Sequence, residues 1–260
     1  MLGLHRALFA AGFQRQATYR LALFSGLATN VFFGVIRTAL FLALYEERGA
    51  VGGLDRADAL TYVWVVQALF GLVWATWIWE LPDAVRSGAF EAELTRPGGI
   101  LGRLLAFDLG RSANIAILRT TVPLVGAALV LHLRVPTSVA GWALVLASAA
   151  LAGVAGFCFR FLIGASAFWT SDYRGAYSLT FPFLWFLSGF LIPVEYFPGA
   201  LRTLGELGPL AAMLTAPVRV VTGRSPGTAV LLQLVWAVVL LAACRAVLAR
   251  GERRLVVHGG

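Results

Sequence analysis

Of 260 residues, 59% are apolar and only 13% charged, and the mean hydropathy is +0.81. A soluble chain carries about twice that charged fraction, so a water-soluble fold lacks the polar surface to cover itself, and lipid must be the solvent for much of this one. The net charge of +8 is all arginine, since the sequence contains no lysine, and the arginines lie in short segments between apolar runs. That distribution excludes a nucleic-acid face and gives the arginines a role in topology instead.

In chain order, residues 1–20 mix Phe9, Phe13 and Tyr19 with Arg6, Arg15 and Arg20. They are expected to form an amphipathic helix at the inner membrane surface, with a plain basic flank of the first span as the alternative. The segment has no short apolar core followed by a cleavage site, so the first long apolar run is expected to act as an uncleaved insertion signal. Runs of about 20 apolar residues mark membrane spans. The first two are 21–45 and 59–81, the second rich in tryptophan at Trp64, Trp74, Trp77 and Trp79.

Residues 82–111 connect the second and third spans. Pro82 and Asp83 suit a helix start and Gly88 a stop, and a second turn from Glu91 ends before Pro97. A short, charged helical elbow is expected just outside the inner leaflet, where it can dock a soluble partner. Further spans are expected at 113–133, 139–166 and 176–192. Residues 193–227 hold Pro193, Pro198, Pro209, Pro217 and Pro226 yet stay apolar, with Leu201, Leu204, Leu207 and Leu210 among others. An apolar segment broken by prolines predicts short helices dipping back into the outer leaflet, covered by protein or a wet cavity. A last span is expected at 228–248. The expected fold is therefore an all-α integral membrane protein, 1–260 forming one transmembrane domain with six transmembrane helices.

Loop arginines orient it. With the N-terminus in the cytoplasm, eleven arginines fall in inner segments and six in outer ones, and the first outer loop also holds Glu46, Glu47, Asp55 and Asp58. The positive-inside bias thus places both termini in the cytoplasm.

Polar groups inside apolar runs are costly and mark packing locks or pathways. Ala22, Gly26, Asn30, Gly34 and Thr38 recur every fourth residue and form one small or polar stripe on the first span, with Arg37 beside it. In one reading the stripe is a close helix contact locked by Asn30. In the other it lines a translocation path and Arg37 contacts cargo. Arg119, Arg160 and Arg245 are placed to snorkel or to form ion pairs. Gln67, Glu80 and Gln233 complete the set. Cys158 and Cys244 lie inside apolar runs without ligand spacing and read as packing residues.

Catalytic constellations are excluded. Gly164-Ala165-Ser166-Ala167 resembles the nucleophile motif of rhomboid-type intramembrane proteases, but His5, His132 and His258 sit at a terminus or helix ends, away from any central serine. Glu46-Glu47 lacks the arginine and histidine spacing of membrane-embedded metalloproteases. GxxxxGK[ST] is impossible without lysine, so ATP hydrolysis, if used, belongs to another chain.

This order of elements resembles the permease subunits of type-2 ABC exporters, over nearly the whole length. The most specific stretch is Phe186-Leu187-Ser188-Gly189-Phe190-Leu191-Ile192-Pro193-Val194-Glu195-Tyr196-Phe197-Pro198, which looks like the Ser-Gly…Pro…Phe-Pro signature ending that family's fifth helix. Phe168-Trp169-Thr170-Ser171-Asp172-Tyr173-Arg174-Gly175 looks like the loop between the fourth and fifth helices of a bacterial subgroup, and Arg86-Ser87-Gly88 followed by Thr95-Arg96-Pro97 like its elbow. The resemblance implies a half-transporter of the bacterial plasma membrane. A second permease copy or a paralogous permease would complete it, membrane lipids would surround it, and cytoplasmic ABC ATPase subunits holding ATP and Mg would drive it, with no cofactor in this chain. Asp83, Arg86, Glu91 and Glu93 would couple to the ATPase as a coupling helix. Gly26, Asn30, Gly34 and Arg37 would lie on the pathway or the dimer contact. Pro193, Glu195, Phe197 and Pro198 would form a re-entrant outer gate. Apolar walls favour an amphipathic, lipid-like or drug-like substrate, although the family also exports polysaccharides.

Two other classes compete. A secondary transporter or channel independent of an ATPase usually carries mid-membrane carboxylates and internal repeats, and neither is evident here. A membrane anchor without transport would leave the stripe and the apolar outer segment unexplained.

Overall fold

A computed structural model describes residues 2–74, 78–170 and 173–258 and is built almost wholly of helices. Helix α1 (Leu2–Thr18) breaks at Tyr19 and α2 (Arg20–Glu46) follows. A two-residue hairpin, β1 (Ala50–Val51) and β2 (Leu54–Asp55), then turns the chain. Gly52 and Gly53 both take positive φ, +61° and +84°, as the tightest hairpin turns require. The Asp55 carboxylate accepts from the Asp58 N–H at 2.9 Å and caps α3 (Arg56–Val73). Helix α3 is buried on almost every face and forms the centre of the bundle.

Trp77 lies outside the described residues, as do Ser171 and Asp172. The elbow comprises α4 (Glu80–Ser87), closed by Gly88 in the left-handed region, and α5 (Phe90–Leu94). Gly98 and Gly99 then swing the chain into α6 (Ile100–Ile115), a π turn at Ala116–Thr121 and α7 (Val122–Leu131). This helix begins at Ile100, well before the expected 113, so the inner connection is shorter than 82–111. Its N-terminal half does not run on into α7 but lies along α1. Gly12 meets the Phe107 carbonyl and Gly110 meets the Phe9 carbonyl so closely that a Cβ at either glycine would collide with backbone.

The two halves of this helix meet at 50°. The bend has a local cause. Pro123 has no N–H to give to the carbonyl four residues back, Arg119. Asn30 of α2 supplies the missing donor, its Nδ2 reaching the Arg119 carbonyl at 2.8 Å.

Helix α8 (Val139–Ala165) is capped by the Ser138 hydroxyl, which accepts from the Gly141 N–H. After a 3₁₀ turn at Ser166–Phe168 comes α9 (Tyr173–Leu187), with Pro182 inside it. The proline-broken segment holds α10 (Gly199–Leu207), a 3₁₀ turn at Pro209–Ala212 and α11 (Thr215–Val221), and α12 (Pro226–His258) follows. Four helices are long and apolar enough to cross a membrane: Leu21–Glu46, Arg56–Val73, Val139–Phe168 and Pro226–Arg254; the bent pair Ile100–Ile115 with Arg119–Leu131 makes a fifth. At 15 residues α9 falls short of the usual length. The described residues thus give four to five spans by length and composition against the six expected.

The segment after Pro193 enters the bundle. Ala211, Ala212, Met213 and Leu214 are wholly buried, and α11 packs on α3, α8 and α12. Its broken backbone is covered by side chains: Gln233 Nε2 donates to the carbonyls of Ala212 and Ser148 at 2.8 and 3.0 Å, and Ser148 Oγ returns a bond to Gln233 Oε1 at 2.7 Å. Cys158 and Cys244 pack against each other in the same interior, the Cys244 thiol 3.6 Å from the Cys158 carbonyl.

Each end of the bundle carries a charged clamp. At the end with the hairpin, Asp58 is held by Arg134 at 2.9 Å and Arg224 at 2.7 Å, tying the first turn of α3 to the loops before α8 and α12. At the elbow end, Asp108 takes a two-pronged contact from Arg160 at 3.0 and 2.8 Å and a third bond from Arg111 at 3.0 Å; Arg111 and Arg15 then reach Glu80.

Candidate functional site

The stripe on α2 faces inward. Gly34 lies under the ring of Trp64, whose indole N–H donates to Thr38 Oγ1 at 2.9 Å. Gly26 leaves room for the Arg119 side chain, which donates to the carbonyls of Ala22 and Leu23 instead of reaching a headgroup. Gly26, Asn30 and Gly34 thus lie where α2 meets Arg119 and Trp64.

Arg37 differs. Only its Nη1 is engaged, donating to Gln67 Oε1 at 3.1 Å, and the guanidinium lies 5.3 Å from the ring centre of Phe190. Its Nε and Nη2 are buried and have no hydrogen-bond partner among the described residues. These nitrogens belong to a residue that lines a cavity of about 500 Å³. Helix α2 supplies one wall through Thr29, Asn30 and Phe33, α3 the floor through Gln67 and Phe70, and α9 with the turn beyond it the other wall through Trp185 and Phe190. Phe70, Trp185 and Phe190 pack on one another, with ring centres 4.8–5.5 Å apart. Among the described residues the buried Trp185 indole N–H also has no hydrogen-bond partner, nor has the Asn30 Oδ1. Among the described residues that line the cavity are two arginines and no carboxylate.

The stretch closing this cavity on the hairpin side is the one the sequence singled out. Gly189 takes φ +82°, and a side chain there would strike the Tyr62 hydroxyl, which donates to the Gly189 carbonyl at 2.8 Å. Thr215 Oγ1 caps the Ser188 carbonyl at 3.3 Å. Pro193 leads into a 3₁₀ turn at Val194–Tyr196, Phe197 stacks on Phe186 at 4.8 Å, and Pro198 precedes α10. The Tyr196 and Tyr45 hydroxyls share a hydrogen bond of 2.8 Å, and burial is the main cause raising the Tyr196 phenol above its ordinary pKa. Glu195 is held by Arg219 at 3.4 Å, and its carbonyl lies against Gly52 of the hairpin.

At the other end the elbow residues divide. Asp83 and Arg86 are exposed and share Tyr173: the Tyr173 hydroxyl donates to Asp83 at 3.1 Å and Arg86 sits 5.8 Å from its ring. Glu91 is exposed. Glu93 is tied inward by Arg96 at 2.8 Å and by Arg103. Phe90 anchors the elbow, buried edge-on against Phe168 at 5.1 Å.

A family model described as ABC-2 family transporter protein matches residues 33–259. The chain belongs to that family. Neither the curated proteins nor the solved structures hold a match. Membership makes this a multi-pass membrane protein and a permease component of transport, not itself a catalytic enzyme. Among the described residues no three His, Cys, Asp or Glu side chains gather as a metal site.

The match takes in Arg37, the elbow and the Ser188–Pro198 stretch of this ABC-2 protein but not α1, so the pairing of α1 with α6 rests on the geometry alone. Sequence reasoning missed Asp108, which it left in a loop. The available signal was the Asp108–Arg111 pair, three apart in the apolar run that follows Gly98-Gly99. The hairpin was missed too, although Gly52-Gly53 between Val51 and Leu54 marks it.

Proposed function

We propose that this ABC-2 chain is the permease half of an ATP-driven exporter of the bacterial plasma membrane, moving an amphipathic, lipid-like or drug-like compound. The supporting observation is the aromatic cavity around Arg37, on a chain that carries no nucleotide-binding motif. A second copy or a sister permease would complete the pathway along the lipid-facing sides of α2 and α9, where Phe24, Phe32, Leu179 and Phe183 are exposed. Six crossings follow if α9, about 22 Å long at 1.5 Å per residue, is extended across the outer leaflet by Ser188–Ile192. Both termini then lie in the cytoplasm, with α1, α4 and α5 on the same side. Asp83, Arg86 and Glu91 would meet the ATPase there, with Glu93 holding the elbow's shape. Pro193, Glu195, Phe197 and Pro198 would form the outer gate. A carboxylate-driven secondary transporter is disfavoured, since the described cavity walls hold no carboxylate.

The test is to ask whether an ATP-binding-cassette ATPase is encoded beside this chain and to co-express the two. Co-purification and permease-dependent stimulation of ATP hydrolysis in reconstituted vesicles are expected. A purified complex without an ATPase, or labelling of a cysteine at position 86 from the outer face, overturns the proposal.

A further inference from the structure

We propose that the cavity between α2, α3 and α9 binds the anionic headgroup of an amphiphile, with Arg37 as the residue that holds it. The inference rests on the permease reading and narrows its cargo. Arg37 and Trp185 both line the cavity, and three of their donors, Nε and Nη2 of Arg37 and the indole N–H of Trp185, are buried with no hydrogen-bond partner among the described residues. Burying donors unpaired is costly, most of all on a cation, and the cost is relieved when an acceptor enters. A carboxylate or phosphate oxygen pair matches the fork of a guanidinium. Gln67 fixes one edge of that fork and Phe190 lies over its face, so the side chain is already oriented.

Charge balance points the same way. Both charged residues on the described cavity walls are arginines. Arg119 is already engaged with the carbonyls of Ala22 and Leu23, whereas Arg37 has no described carboxylate within salt-bridge distance. A cationic amphiphile would add a third positive charge to a low-dielectric space. Apart from Thr29, Asn30 and Gln67 the rest of the lining is apolar and aromatic, Phe33, Phe70 and Phe190 above all, and suits an alkyl or aromatic tail. Gly26, beside Arg119, and Arg37 stand eleven residues apart on α2, about 16 Å along its axis. The cavity is therefore long enough for a tail running from a headgroup at Arg37 towards Arg119.

The experiment is calorimetric titration of the purified full-length chain in neutral phosphatidylcholine nanodiscs. The probes are dodecyl phosphate, dodecanoate, dodecyltrimethylammonium and inorganic phosphate. Wild type is expected to bind the two anionic amphiphiles at least about tenfold more tightly than the ammonium probe, with inorganic phosphate far weaker because it lacks the tail. Arg37→Gln is expected to lose about tenfold or more for the anions and little for the cation, Arg37→Lys to recover only part of that loss because an ammonium lacks the fork, and Trp185→Phe to lose a few-fold. Circular dichroism melts without probe establish that each variant is folded. Equal affinity for the ammonium probe, or unchanged dodecyl phosphate binding by folded Arg37→Gln, overturns the inference. So does a result in which Arg37→Gln leaves binding unchanged but splits a dimer, because the donors would then be meeting a second copy of the chain. No ATPase is present in the titration, so these outcomes leave the permease reading intact. Failure of ATPase stimulation with intact anion selectivity would count against the permease reading alone.

Discussion

Asn30 offers a quantitative test of how this fold tolerates a proline inside a membrane helix. Pro123 deprives the Arg119 carbonyl of its helical donor, and Asn30 Nδ2 replaces it from the neighbouring helix at 2.8 Å. Asn30→Leu removes that donor at similar volume. A buried acceptor left without a partner costs about 1–3 kcal/mol in soluble proteins, but hydrogen bonds between membrane helices average about 0.6 and reach about 1.7 kcal/mol. The mutation also removes Asn30 Oδ1, itself buried without a partner, which lowers the cost. About 1 kcal/mol is therefore expected.

The decisive measurement is the double-mutant cycle with Pro123→Ala. Alanine restores an N–H four residues after Arg119, so the helix can satisfy its own carbonyl once the π turn relaxes. In that background Asn30→Leu should cost close to nothing, a coupling of about 1 kcal/mol against the roughly 0.3–0.5 kcal/mol scatter of independent sites. Reversible unfolding in mixed detergent micelles, followed by circular dichroism, reads all four corners of the cycle. If Asn30→Leu costs the same in both backgrounds, the proline and the asparagine are unrelated and the explanation of the bend is wrong.

Asp108→Asn, assayed by the same unfolding titration, should destabilise the chain by about 3 kcal/mol or more. The Arg160 side chain is fully buried and loses a two-pronged carboxylate contact, while Asp108→Leu with Arg160→Met should recover most of the loss. Gly110→Val pushes a side chain into the Phe9 backbone and should detach α1, read as protease cleavage near residues 16–20 in inverted vesicles and a stability loss of about 1–3 kcal/mol; unchanged protection refutes the α1–α6 packing. Arg86→Glu combined with Glu91→Arg reverses two of the exposed elbow charges. It should abolish stimulated ATP hydrolysis by the reconstituted complex at normal membrane insertion, and normal stimulation refutes the elbow as the docking element.

Much of the architecture is legible in the sequence because it follows from hydropathy and helix breakers. Long apolar runs locate α2, α8 and α12, Gly88 ends α4, and five prolines in an apolar stretch announce the broken outer segment. Partners across helices were not legible. Ile100–Arg111 reads as a polar connection when only Arg103, Asp108 and Arg111 are weighed, yet it folds as a helix because Gly98-Gly99 provides the turn and because α1 and Arg160, distant in sequence, meet its two faces. Arg160 could be read as snorkelling or as paired, and the choice depended on Asp108, 52 residues away.

The same limit explains why polarity alone did not separate scaffold from site. Gln233, Asn30, Asp108, Arg160 and Arg37 are all costly groups in apolar surroundings, and the sequence treats them alike. Contacts divide them. Gln233 spends both ends of its amide on Ser148 and Ala212, and Asp108 accepts from two arginines, so each reinforces a fixed packing and gains nothing from a ligand. An orphaned atom is not sufficient by itself: Ser112 and Asn114 also bury unpartnered oxygens, but they do not line the cavity between α2 and α9. At Arg37 unmet donors, positive charge and an aromatic-walled space coincide. A solute entering there supplies what the fold withholds, and that gives this arginine a reason to remain unsatisfied that packing cannot give.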